Sequence, residues 1–355
     1  ALLFLILGSG MFKGNIASQV GSLYKPEDIR SADAFQIFYL GINAGVIASP
    51  LIVGTLGEKV GWHWGFGAAG IGMLIGLVIY LAGQKYLPKE HFDVAKPEAV
   101  KPAKQRLSQR DWLATIALLL LIPVMAVAII PNNQIFNAYL VWGDAKFDLN
   151  FMGTTLPTTW LVTLDAVVSV SFLAGVALFY RWYGKHWKEP DELTKIIIGS
   201  AFSIAGMLCL YMAASTSGDA KIGLFWPVMF HVINSIGFAH MLPVSLALFA
   251  KFAPKAINAT VIGLYYLAFF VGNSMVGLVG GWYETMPTTS FWLMHAGFAA
   301  GSGAVFVLFK LFLEKELIIQ NTKKGVEIAL LEDKKLVEFH QEKEKIPQKN
   351  KKLYK

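Results

Sequence analysis

The chain is short of charge and almost without cysteine. Only 15% of its 355 residues are Asp, Glu, Lys or Arg, 55% are hydrophobic, and the mean hydropathy is +0.51. An ordinary soluble domain carries about 25% charged residues, so lipid is the expected solvent for much of this surface. The single cysteine, Cys209, lies in an apolar run, which excludes a disulfide framework and any multi-cysteine metal or iron–sulfur centre. The apolar stretches lack the alternation of strands, which argues against an outer-membrane barrel. Ala1 already lies inside an apolar stretch, with no initiator Met, charged n-region or small-residue cleavage site. The start therefore does not read as a signal peptide, and the natural N-terminus is expected upstream.

Catalytic signatures are missing too. There are no paired carboxylates at a shared site, no nucleophile beside an evident base, no phosphate-cradling glycine loop before a helix and no metal-ligand spacing. The expectation is a protein that is not an enzyme and takes neither metal nor cofactor. A membrane-embedded acyl or glycosyl transferase would need an acid–base pair at one interface and large soluble loops, and neither is visible.

Long apolar runs are what the chain does have. About 20 apolar residues span a bilayer as a helix, because every backbone polar group must be paired within the segment. Nine stretches qualify, near 1–23, 34–57, 64–86, 112–142, 157–182, 195–215, 223–251, 258–283 and 291–313. The net charge of +7 is carried by connections and tail rather than by a nucleic-acid face. Fifteen Lys and Arg fall on the connections 24–33, 85–111, 181–195 and 251–257, against three on the alternate ones, and eleven more lie after 313. The positive-inside rule places the richer connections and the C-terminus in the cytoplasm. An all-α, multi-pass protein of the cytoplasmic (inner) membrane is expected.

The proline- and charge-rich stretch 87–111 reads as a flexible cytoplasmic linker between two helix bundles. The divisions are 1–86, the linker, 112–313, and a charged cytoplasmic tail over 314–355. Within that tail, residues 323–345 show modest helical periodicity through Val326, Leu330, Val337 and Phe339, read as a solvated helix or one lying on anionic lipid. Gly41 with Gly45, Gly277 with Gly281 and Gly297 with Gly301 stand four apart, a spacing that lets membrane helices pack closely.

Three motifs carry a family resemblance: Phe12-Lys13-Gly14-Asn15 with Val20-Gly21-Ser22-Leu23-Tyr24, then Phe38-Tyr39-Leu40-Gly41-Ile42-Asn43-Ala44-Gly45, then Gly61-Trp62-His63-Trp64-Gly65-Phe66-Gly67. In order and spacing they resemble the fourth helix, fifth helix and sixth-helix entry of the proton-dependent oligopeptide transporters of the major facilitator superfamily. The resemblance implies a major facilitator fold of twelve core helices. The nine here would be helices four to twelve, with 1–86 the last three of the N-terminal bundle and 112–313 the six-helix C-terminal bundle. It implies proton-coupled symport of di- or tripeptides or peptide-like solutes by alternating access. A carrier for a non-peptide anion, or a membrane receptor or scaffold that does not transport, are the alternatives.

The same resemblance marks departures. Phe238 stands where the family has a glutamate for the peptide's amino group, Asn132-Asn133 where it has a glutamate–glutamine pair, and Tyr265 where a substrate-facing tryptophan is usual. Gly272-Asn273 fits the pattern. Lys13 and Asn43 fall on family positions in the substrate cavity, and a snorkelling lysine is the plain alternative for the first.

Ionisable side chains inside spans are costly and so usually have a task or a partner. Asp165 is the only carboxylate deep in a predicted span and is the candidate proton-coupling group, with a structural, hydrogen-bonded acid as the alternative. His231 and His240, nine residues apart, point in roughly opposite directions on a helix and do not share a metal. His240 is a candidate substrate contact. Asn132, Asn133, Gln134 and Asn137 follow Pro131, where a bent helix with freed carbonyls would build a midplane site or mark the helix's outer end. The substrate-site set is thus Lys13, Asn43, Asn133, Asn137, His240, Tyr265 and Asn273.

Overall fold

The apolar runs fold as helices because a segment in lipid must satisfy its own backbone. The computed structural model describes residues 2–23, 30–87, 108–323, 327–332 and 335–341. Eight helices among them are long and apolar enough to cross a membrane. The first expected span is also helical, α1 (Leu2–Ser22), with a shorter apolar stretch at Leu3–Phe12. The linker residues 88–107 lie outside the described residues.

Two compact units emerge. One gathers Ala1–Arg106, Tyr139–Val170 and Ala220–Val228; the other gathers Leu107–Ala138, Ser171–Asp219 and Met229–Lys355.

In the first unit, α2 (Arg30–Ser49) meets Pro50, which has no N–H to give, and the chain widens into a π turn over Pro50–Gly54 before α3 (Thr55–Lys59). Gly61, at φ +146°, makes the corner into α4 (Trp62–Gly83), a conformation that side chains resist. Gln19 of α1 donates to the Tyr80 hydroxyl of α4 at 2.9 Å. This unit also holds α7 (Ala138–Lys146) from Tyr139 on, a hairpin of β1 (Asn150–Phe151) and β2 (Thr154–Thr155), and the start of α8 (Trp160–Tyr183). The hairpin pairs Asn150 with Thr155 and turns through Met152 and Gly153, both at positive φ, as a two-residue hairpin turn requires.

The second unit is built from α5 (Gln109–Ala128), α6 (Ile130–Asn133), α9 (Glu192–Ser217), α10 (Phe225–Phe252), α11 (Asn258–Gly280) and α12 (Thr288–Lys323). A capping box starts α5: Ser108 accepts from the Asp111 N–H, and the Asp111 carboxylate accepts from the Ser108 N–H. Leu121, Met125, Ile196, Phe249, Tyr265 and Phe306 form the centre of its core, with α12 lying along α9 and α11 along α5. Hydrophobicity does little to drive helices together in lipid, so this contact rests on close packing. At the start of α9, burial works to raise the Asp191 carboxyl, but the Thr194 N–H and the Lys310 ammonium, 3.1 Å away, hold it below its ordinary value.

The glycines that bring helices together are not the four-spaced pairs. A Cβ on any of Gly41, Gly45, Gly277, Gly281, Gly297 or Gly301 would meet nothing within 4 Å. Spacing shows that a helix has a narrow stripe, not that a neighbour lies on it. One close approach is between α9 and α10, where a Cβ on Gly237 would stand 2.9 Å from the Gly199 carbonyl oxygen and 3.1 Å from the Ser203 nitrogen, and another is between α11 and α5, where a Cβ on Gly272 would stand 2.7 Å from the Ala126 carbonyl oxygen. Backbone cannot yield as a side-chain tip does. Gly237→Ala is therefore expected to cost about 1–3 kcal/mol, read as a lower unfolding temperature of the protein in detergent, whereas Gly297→Ala should leave that temperature unchanged.

The tail also differs from its sequence reading. In place of a helix over 323–345, α12 ends at Lys323, and β3 (Glu327–Glu332) pairs antiparallel with β4 (Lys335–Gln341). Val337 and Phe339, two apart and alternating with Glu338 and His340, fit the period of a strand, and four apolar residues were too few to distinguish it from a helix.

Candidate functional site

The expected span 112–142 is a broken helix. Pro131 cannot donate to the ladder, and α5 gives way to the short α6, a 3-10 turn at Gln134–Phe136 and the irregular Asn137 before α7 resumes. The amides after the break turn to α11. The Asn133 side chain donates to Asn273 Oδ1 at 2.8 Å, while Gln134 and Asn137 both donate to the Val276 carbonyl, at 3.1 and 3.2 Å. Asn133, Asn137 and Asn273 are thus brought together as a ladder that ties the break to α11.

Beside this break lies a cavity of about 140 Å³ within the second unit. Asn132 and Asn133 form one wall, Ser203 of α9 and Phe269 of α11 two others, and Asn234, Gly237 and Phe238 of α10 a fourth. The rest of the lining is aliphatic or Met. The Gly199–Gly237 contact is what brings α10 close enough to α9 to complete this wall.

Two sequence candidates are close by in the chain but not part of the lining. His240 uses both ring nitrogens, one 2.8 Å from the Ile236 carbonyl and the other 3.0 Å from the Tyr180 hydroxyl. Tyr180 in turn lies under the Lys195 ammonium, 4.2 Å from its ring centroid, and Lys195 pairs with Glu189. Tyr265 is 1% exposed and its hydroxyl meets that of Ser245 at 2.9 Å.

Sequence reasoning missed Asn234. It is 2% exposed, and its Nδ2 has no hydrogen-bond partner. Its position one helical turn before Phe238 was the available signal, since residues four apart share a face.

A second polar arrangement lies in the first unit. Both oxygens of Glu58, at the end of α3, accept backbone N–H groups at the entry to α8: Thr158 at 2.7 Å and Thr159 at 2.8 Å. These are among the unpaired donors of a helix N-terminus, where a carboxylate is favoured by charge and by hydrogen bonding. Trp160 Nε1 donates to the Thr55 hydroxyl at 2.8 Å, Thr163 to the Ile47 carbonyl at 3.1 Å, and Lys59 to the Thr155 carbonyl at 2.7 Å. Asp165, half-buried, lies two residues beyond Thr163 on the same helix. Asn43 is half-buried on α2; Lys13 belongs to α1, but its side chain lies outside the described residues.

The comparisons with known proteins concern the chain as a whole. The family model described as POT family matches residues 1–97. A peptide transporter of Yersinia enterocolitica is 28% identical over 349 residues, covering 79% of this chain and 67% of that protein. A di-/tripeptide transporter of Lactococcus lactis subsp. cremoris is 26% identical over 334 residues, covering 76% of this chain and 66% of its own length. Among solved structures, a peptide transporter POT in complex with sulfate superposes with a TM-score of 0.76 at 23% identity, covering 87% of this chain and 73% of the other. The fold is that of the major facilitator transporters, and the chain spans part of their length.

Proposed function

For a chain that is a relative of the POT family, we propose a carrier that moves small peptides or peptide-like solutes across the cytoplasmic membrane together with protons, by alternating access. The observation that supports it most is the cavity at the broken helix: irregular backbone in a membrane protein is tolerated where it lines a solute path, and amide side chains there suit the amides of a peptide. The likeness to peptide transporters over more than three-quarters of the chain points the same way.

In this reading residues 1–86 and 112–313 are the parts of two bundles that rock about the solute, joined by 87–111, with that linker and the tail in the cytoplasm. Asn133 is the solute contact at the break. Asn137 and Asn273 hold its geometry, His240 and Tyr265 stiffen α10 and α11 behind the cavity, and Lys13 and Asn43 are further solute contacts. Asp165 carries the coupling proton.

The test is uptake by the full-length gene product in proteoliposomes. An inward proton gradient should drive accumulation of labelled dialanine, and excess unlabelled dialanine inside should drive counterflow. Binding of dialanine without counterflow would make the protein a receptor instead.

A further inference from the structure

The cavity beside the broken helix is unusual for what its walls leave out. None of the twelve described residues that line it is ionisable. Charged groups on the helices around it are engaged with partners of their own: Lys195 with Glu189 and the Tyr180 ring, Lys251 with Glu192. His240, one residue from Met241 of the lining, holds Tyr180 and the Ile236 carbonyl. An ammonium group entering such a space would lose water and find no counter-charge among the twelve residues that line it, which low-dielectric surroundings penalise heavily.

What the walls do offer is a buried amide with an uncommitted donor. Asn133 is engaged with Asn273, but the Asn234 Nδ2 is buried with no partner. A buried donor without an acceptor is destabilising until something supplies one. Phe238, one turn further along α10, and Phe269 of α11 add aromatic surface to the same space. A primary amide beside aromatic surface suits a carbonyl or carboxamide flanked by an apolar group.

We propose that this cavity takes an uncharged, carbonyl-bearing apolar group, so that the part of the solute seated there carries no free amine. The inference rests on the carrier reading for its biological sense and concerns the chemistry of the solute that reading leaves open. An amine-blocked peptide, an acyl amide, or a peptide whose free amine lies outside this cavity fits.

The test compares two probes that differ only at the nitrogen: N-acetyl-L-phenylalaninamide and L-phenylalaninamide, titrated calorimetrically into the full-length protein in nanodiscs. The acetylated probe should bind at least tenfold more tightly. Asn234→Asp keeps the side chain's size and places a carboxylate in the cavity, and it should reverse the preference in favour of the free amine. Asn234→Leu should bring the two affinities within threefold of each other, with circular dichroism unchanged. Equal affinities for the unaltered protein, a preference for the amine, binding of neither probe, or a preference insensitive to Asn234→Asp would each overturn the proposal. The two readings fail separately. Proton-driven dialanine uptake with an amine-preferring cavity would sink this inference alone, and selective binding of the acetylated probe without any transport would sink the carrier reading alone.

Discussion

Asp165→Asn should abolish gradient-driven accumulation of solute in proteoliposomes while sparing exchange at equal concentrations on the two sides. Asparagine keeps the shape of the side chain and removes its titration, so the variant isolates the proton from the packing. The position favours a large effect. Asp165 lies within the span Trp160–Tyr183, and ionisable side chains inside spans are rare and usually have a task or a partner. A variant that still concentrates solute with an unchanged pH dependence would make Asp165 structural and place coupling elsewhere.

Glu58→Ala is expected to have the largest effect on stability. It removes both acceptors from the Thr158 and Thr159 N–H groups, and hydrogen bonds to a charged partner are worth about 1.5–3 kcal/mol each, more than neutral ones. Water entering the gap would recover part, so a net loss of roughly 2–4 kcal/mol is expected. Glu58→Gln retains one carbonyl oxygen as acceptor and should lie midway between the two. The measurement is thermal unfolding followed by tryptophan fluorescence, with Trp160 itself a reporter because its indole donates to Thr55 one turn before Glu58. If unfolding of the alanine variant matched that of the unaltered protein, the carboxylate would be a surface group that merely points at α8. A second readout separates latch from brace: a cysteine at exposed Met152 should label with an impermeant thiol reagent equally in both, whereas one at Thr158 should label faster once Glu58 is gone.

Eight of the nine expected spans were legible because length and hydrophobicity decide them almost without reference to neighbours. Partners were not. His240 was singled out as an ionisable group inside a span and Tyr265 as the residue at a family tryptophan position, and what the sequence does not contain is that Tyr180 and Ser245 stand opposite them. Asn133 and Phe238 were found at the cavity because the family pattern drew attention to both, while Asn234, outside that pattern, was passed over although it shares their cavity. Glycine told a similar story. Gly237 is the residue whose missing side chain admits α9, and the evenly spaced pairs have open space beside them. In the tail, a few apolar residues among many charges fit two periods at once, and the hairpin was not distinguishable from a helix.

The π turn at Pro50–Gly54 has a consequence for the phase of everything after it. An α-helix advances about 100° per residue, and a wide turn accommodates what amounts to one extra residue. Thr55 and Glu58 therefore point about a quarter of a revolution away from where a continuous α2 would have aimed them. Tightening those five residues into regular α-helix with none removed would swing the Glu58 carboxylate off the entry to α8, whereas deleting one residue as the turn tightens would keep its direction. The same length of chain can thus present or withdraw that carboxylate by a local change of helix winding.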